Sequence, residues 1–450
     1  MPKTIVEPFR IKAVEPIRFT TREQRDQYLL DAHYNPFYLR AEHVIIDLLT
    51  DSGTSAMSQE QWAGIMRGDE SYAGSSSFYR LKDVVDDLTG FRHFIPVHQG
   101  RAAERILFSM IAGNGKHIVS NTLFDTTRAN VEFQGSEGVD LATPESHQLG
   151  ANLPFKGNID VKRLRSFIAE VGAVNIGAVI MTVTNNSGGG QPVSMANLRA
   201  TRAVCDEFEL LLILDACRFA ENSFFIQEQE EGYRDKTLRA IAQEMFRLCD
   251  GATFSGKKDG LSNMGGFLCL NGDDLAQQAR NLLVVTEGFP TYGGMAGRDL
   301  DAMAIGLQEV LDQDYMEYRI ATVRYLCRGL DQVGVPAVHP AGGHAAFVDA
   351  GSFFPHVSRD KLPGQTVVNA LYSVGGVRGV EIGSVMFGEH AEFDLVRLAL
   401  PRRVYTQSHV DYVIEVFEEL VGEKERWSGF RMTYAPKQLR HFTAHFEPLT

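Results

Sequence analysis

Short, unbroken apolar runs punctuate the middle of the chain. Ala178–Thr184 (AVIMTVT) and Leu210–Ala216 (LLLILDA) have the pattern of parallel strands covered on both faces. Between them, Met195, Leu198, Val204, Cys205 and Phe208 fall near helical spacing, with Ser194 placed to cap the helix after Pro192. The stretches KHIVSN, GATFSG and GGFLCLNG read as further strands. Strand, helix and strand in alternation predict an α/β domain built on a mainly parallel sheet. From about Leu307 the texture changes to long helical patterns, followed by alternating strands such as HAAFVDA and LVRLALP. The expected organisation is an N-terminal arm with part of the small domain (1–57), a large domain (58–310) and a smaller α+β domain (311–450).

Charge and cysteine content narrow the function. A net charge of −13 disfavours nucleic acid or an anionic membrane as partner, since both select a basic face. No apolar run approaches the roughly 18 residues of a membrane span. The opening MPKTIVEPFRIKAVEP has acids and prolines where a signal peptide needs an unbroken apolar region, so a cytoplasmic protein is expected. Five cysteines without CxxC or Cys/His spacing read as reduced thiols.

Ligands of open parallel sheets bind beyond the carboxyl ends of the strands, so the residues that end apolar runs carry the chemistry. Asp215 closes LLLILD and is followed by Arg218, Glu221 and Asn222; it is either a helix cap or the partner of a cation or donor. TNNSGGGQP ends another strand and serves close ligand approach or an ordinary loop. Gln99-Gly100-Arg101 precedes a helical pattern, giving an anion site or a solvated surface helix. FSGKKDG sets Lys257 and Lys258 side by side, where like-charge repulsion favours an anion nearby or a neutral lysine. Together these groups suit pyridoxal 5'-phosphate: donors and cations for phosphate, a carboxylate for the ring nitrogen, a lysine for the aldehyde. Other cofactor enzymes also combine acid, lysine and glycine loops.

The motifs IIDLLTDSGT, GDESYAGSSSFY, HQGRAAE, GGQPVSMAN, DACRFAEN, SGKKDG, EGFPTYGG, GGHAAFVDAG and PKQLRHFTA occur in this order along nearly the whole chain. They resemble the tryptophanase and tyrosine phenol-lyase family of β-eliminating lyases. The resemblance implies the aspartate-aminotransferase type of pyridoxal-phosphate-dependent transferase fold, as a homotetramer with active sites at subunit contacts. It makes Lys258 the Schiff-base lysine and Lys257 its cationic neighbour. It gives Gln99, Gly100, Arg101 and Ser255 to the phosphate, Asp215 to the ring nitrogen, Arg218 and Asn186 to the ring hydroxyl, and Phe124 to stacking on the ring. Arg397, helped by Thr50, Ser52 and Asn186, would bind the substrate carboxylate, and Tyr72 would transfer a proton near the leaving group. Gly53, Glu70 and Asn263 match the family's monovalent-cation (K+) site. Ala102 stands where the family usually has glycine, and the loop GSVMFGEHAEFD before Arg397 is shorter than in the family.

Three further positions bear on the substrate. The resemblance sets Asp125 as a carboxylate able to accept an indole N–H, with threonine there in the phenol-lyase branch. It sets Ile382 where the phenol-lyases place an arginine, and His441 where they place phenylalanine. The implied reaction is elimination from L-tryptophan to indole, pyruvate and ammonia. The alternatives are phenol-lyase activity on tyrosine, cleavage of another β-substituted amino acid such as a modified tryptophan or S-substituted cysteine, and a catalytically silent cofactor-binding protein.

Overall fold

A computed structural model describes residues 5–437 and 439–449; Gln438, inside the PKQLRHFTA motif, lies outside them. The chain divides into two compact units, one of residues 1–51, 149–152 and 318–450 and the other of residues 52–148 and 153–317. Among the described residues, no helix is long and apolar enough to cross a membrane.

The second unit is built on a seven-stranded sheet. Its strands are β1 (His93–Val97), β2 (His117–Ser120), β3 (Glu137–Asp140), β4 (Ile176–Thr182), β5 (Leu212–Asp215), β6 (Gly251–Ser255) and β7 (Gly266–Leu270). They lie in the order β1-β7-β6-β5-β4-β2-β3. Strand β7 runs antiparallel to both its neighbours, and the other pairings are parallel. Every residue of β5, β6 and β7 is buried, which is why these segments read as continuous apolar runs rather than alternating ones. Helices α1 (Gly100–Ile111), α2 (Asp125–Phe133), α3 (Met195–Glu207) and α4 (Gly297–Glu309) belong to this unit. Ser194 caps α3, its side chain accepting the N–H of Asn197, as the sequence predicts. One face of the sheet packs Ile95, Ile118, Ile180, Ile213 and Leu268 against Ile106, Leu107 and Phe108 of α1.

The first unit centres on an antiparallel sheet of β8 (Ala345–Asp349), β9 (Val380–Ile382) and β10 (Leu395–Ala399), in the order β9-β10-β8. HAAFVDA and LVRLALP are therefore neighbouring strands. Helix α5 (Pro363–Gly375) is buried along its whole length, and α6 (Gln407–Glu423) contributes Val410, Val413, Phe417 and Leu420 to the same core.

Candidate active site

The residues singled out in the second unit sit just beyond the carboxyl ends of its strands. Gln99-Gly100-Arg101 follows β1, Phe124 and Asp125 follow β2, Asn186 follows β4, Asp215 closes β5, and Lys257-Lys258 follows β6. Asp215 is not the cap of the next helix. It is 7% exposed, accepts the N–H of Cys217 at 3.2 Å, and leaves Arg218 as the residue that opens the helix Phe219–Gln229. Arg218 is buried, and its own N–H donates to Val183.

Backbone contacts tie the lysine turn to its surroundings. The buried Asp259 carboxylate accepts the N–H of Ala220 at 2.8 Å, and the Asp259 N–H donates to Cys217 at 3.4 Å. The turn carrying Lys258 is thereby fixed to the turn that follows Asp215. On the other side, the Gly53 N–H donates to the Lys257 carbonyl at 2.7 Å. Gly53 has φ +78°, and a Cβ there would lie 2.6 Å from Lys257 Cε, so conformation and close approach both select glycine.

The geometry at α1 fits an anion. Gln99, in extended backbone, precedes the helix without making a side-chain cap, and Arg101 follows in the first turn. A Cβ on Gly100 would lie 2.8 Å from Ser255 Cβ, so the start of α1 rests directly on the end of β6. Burial first, then Arg101 and then Lys258, pushes the Lys257 ammonium below the usual lysine range. Three cations gather at an uncapped helix start, with a buried carboxylate on the adjacent strand end. This donor set fits a phosphate-bearing pyridinium ring. Burial, then Asp215, pushes the Cys217 thiol upward, so it stays un-ionised in the middle of the site.

Sequence reasoning overlooked Glu104. It is buried on α1 and electrostatically coupled to Asp215, Lys258 and Asp125. Its signal was available: in AAERILF, Glu104 stands three and four residues before Leu107 and Phe108, on the apolar stripe. The glycine run after β4 forms an ordinary loop. Gly189 and Gly190 have positive φ; the Gly188 N–H donates to the Asn185 side-chain oxygen and the Gly190 N–H to its backbone carbonyl, closing a tight turn. Asp125 is the first residue of α2 rather than its cap, which is Phe124; its Oδ1 accepts the Thr126 N–H at 2.6 Å.

The other expected residues fall in three places. Tyr72 is 68% exposed, with its ring centroid 5.5 Å from Phe289 and 5.3 Å from Tyr292. The Glu70 carboxylate accepts the N–H groups of Gly297 and Arg298 at the start of α4, while the Asn263 amide donates to the carbonyls of Gly53 and Ser55. Gly53 and Asn263 are thus directly bonded, and Glu70 is held by α4. In the first unit, Arg397 lies buried in β10 and donates to the Leu49 carbonyl at 3.0 Å. Ile382 packs in an apolar cluster with Phe347, Val380 and Leu395. His441 is buried, its ring centroid 4.0 Å from that of Phe442. Thr50 and Ser52 are partly buried and flank Asp51, whose carboxylate pairs with the fully buried Arg402 at 2.9 Å.

Fold and site define an α/β protein of the pyridoxal-phosphate-dependent transferase class, with lysine and carboxylate at the carboxyl edge of the sheet. The solved structure of a serine palmitoyltransferase from Sphingomonas wittichii matches with a TM-score of 0.62 at 14% identity, covering 89% of this chain and 96% of that one; this likeness carries the fold. The chain belongs to the β-eliminating lyase family, whose model matches residues 47–416. It is 58% identical to a tryptophanase of Salinibacter ruber, over 99% of this chain and 96% of the relative. It is 54% identical to a tryptophanase of Hyphomonas neptunium, over 99% and 100%. A tyrosine phenol-lyase of Pasteurella multocida is 49% identical, over 98% of each chain.

Proposed function

We propose that this protein is a pyridoxal-phosphate-dependent carbon–carbon lyase that cleaves L-tryptophan to indole, pyruvate and ammonia. The observation that carries the reading is the pairing of Lys258 and Asp215 on turns bonded to each other, beside the cations Arg101 and Lys257. Bound pyridoxal phosphate supplies an electron sink for the carbanion formed at the substrate α-carbon. The residues of the chain do the rest. Gln99, Gly100, Arg101 and Ser255 bind phosphate, Asp215 keeps the ring nitrogen protonated, Arg218 and Asn186 meet the ring hydroxyl, and Phe124 stacks on the ring. Arg397, with Thr50, Ser52 and Asn186, orients the substrate carboxylate. Lys258 would remove the α-proton. A carbon leaving group departs only after protonation of its ring carbon, which assigns Tyr72 a proton-donating role. Asp125 accepts the indole N–H and His441 adds a second polar group.

Substrate choice follows from the same positions. Ile382 sits in an apolar cluster and offers no donor to a phenol hydroxyl. Leaving that hydroxyl unpaired costs about 1–3 kcal/mol, or roughly ten- to a hundredfold in specificity. The exposed Tyr72 suits a homotetramer whose subunits complete one another's sites. The same reading sets the protein in the cytoplasm and gives Gly53, Glu70 and Asn263 to K+. The deciding experiment compares kcat/KM for L-tryptophan, L-tyrosine and S-methyl-L-cysteine with product identification. Tryptophan should lead tyrosine; tyrosine ahead of tryptophan refutes the specificity argument, and cleavage of the cysteine derivative alone makes this a thiol-releasing lyase.

A further inference from the structure

Helix α1 carries an acid on its buried face. Glu104 is 8% exposed and lies among Gly100, Ala103, Leu107 and Phe108. Its carboxyl group meets helix α2: Oε1 accepts from Thr127 Oγ1 at 2.5 Å, and Oε2 from Thr126 Oγ1 and Asn130 Nδ2, each at 3.5 Å. The donors occupy the first turns of the helix that Phe124 caps and Asp125 begins. The charged groups that act on it come from three elements: Asp215 at the end of β5, Lys258 after β6, and Asp125 on α2.

We propose that Glu104 is a positioning residue of this site, which fixes the first turn of α2, and with it Asp125, through Thr127, and whose charge state sets the negative potential beside Asp215. Burial, then Asp215, pushes this carboxyl up to about 7, against the pull of the Thr127 hydrogen bond and of Lys258. Near neutral pH the group therefore passes between two forms. The neutral form leaves Asp215 with one fewer anion beside it. The charged form strengthens the Thr127 bond and adds repulsion toward Asp215 and Asp125. The inference rests on the functional reading above, in which Asp125 serves the indole ring.

The test uses the holoenzyme with two variants. Glu104→Gln keeps the size and an acceptor for Thr127 but cannot ionise, and Glu104→Ala removes both. Infrared difference spectra across neutral pH should show a carboxyl band titrating near 7 in the wild type and missing from Glu104→Gln, a readout independent of turnover. Misplacing α2 in Glu104→Ala should lower kcat/KM for tryptophan by about tenfold or more. S-Methyl-L-cysteine, whose thiolate needs no ring protonation, should lose far less. Glu104→Gln should recover most of the tryptophan activity while flattening its pH profile through neutrality. A band that persists in Glu104→Gln, or an equal loss on both substrates, overturns the proposal. If the wild type cleaves S-methyl-L-cysteine but not tryptophan, the substrate assignment fails while the infrared band still decides whether Glu104 titrates.

Discussion

Replacing Glu381 by glutamine measures what a buried carboxyl costs this fold. Glu381 is 3% exposed in β9, and its two oxygens accept the N–H groups of Val385 and Met386, each at 3.1 Å. A Cβ on Gly364 would lie 2.7 Å from its Cγ, so α5 closes over the side chain. Burial pushes the group up to about 8 from an ordinary 4.5, with the two N–H bonds opposing and Asp394 reinforcing. Below pH 4.5 the carboxyl is neutral folded or unfolded, and nothing is lost. Between 4.5 and 8 the folded chain holds a proton that the unfolded chain has released, so stability falls as pH rises through this window. At about 1.36 kcal/mol per pH unit, the full loss by pH 9 is at most on the order of 5 kcal/mol. Glutamine mimics the neutral acid but has a single acceptor for two N–H groups, a pH-independent cost of about 1–3 kcal/mol. Glu381→Gln should therefore be the less stable protein at pH 5 and the more stable one at pH 9. Urea unfolding followed through Trp427, in a Trp62→Phe background so that one of the chain's two tryptophans reports, reads the unit that contains Glu381. A stability difference that stays flat from pH 5 to pH 9 would refute the linkage argument.

Lys258→Ala should lower turnover by at least about a hundredfold, the lower range for a lost acid–base group, while cofactor binding stays measurable by absorbance and dialysis. The same loss in Lys257→Ala with Lys258→Ala nearly normal would reverse the assignment. Asp51→Ala removes the carboxylate paired with the fully buried Arg402 and should cost about 3–5 kcal/mol in urea unfolding, with Asp51→Leu/Arg402→Met recovering most of it. Turnover should be higher in potassium than in sodium at equal ionic strength, and equal rates in potassium, sodium and a bulky organic cation would remove Gly53, Glu70 and Asn263 as an ion site.

Much of this site was legible because burial on both faces writes a strand as an apolar run, and a polar residue that ends such a run must face something. Asp215 and the lysine turn were found this way. Glu381 could not be, because an acid between Val380 and Ile382 reads as the solvent side of an alternating strand until α5 covers it. The three glycines after β4 left a ligand approach and an ordinary loop both open, and Asn185 takes two of their N–H groups to close a turn. Long-range packing decided the first case and a turn within six residues the second. The chain division also depends on tertiary contacts: residues 149–152 belong with the C-terminal segment, and the break at 317/318 falls inside the helix Gln313–Gln332.

The paired lysines can be explained only when backbone and charge are considered together. Beyond burial, Arg101 and then Lys258 repel the Lys257 ammonium. Lys257 nevertheless has a structural tie, because its carbonyl takes the Gly53 N–H and its stem leaves no room for a side chain on Gly53. Moving Lys257 away to relieve the repulsion would therefore disturb the TDSG turn. On the proposed reading, an anion at the start of α1 would meet Arg101 and Lys257 together and relieve it without moving either. On that reading, binding a phosphate would add its affinity to the stability of the unit that carries Lys258, and a phosphate titration should raise that unit's urea midpoint in the wild type and not in Lys257→Ala.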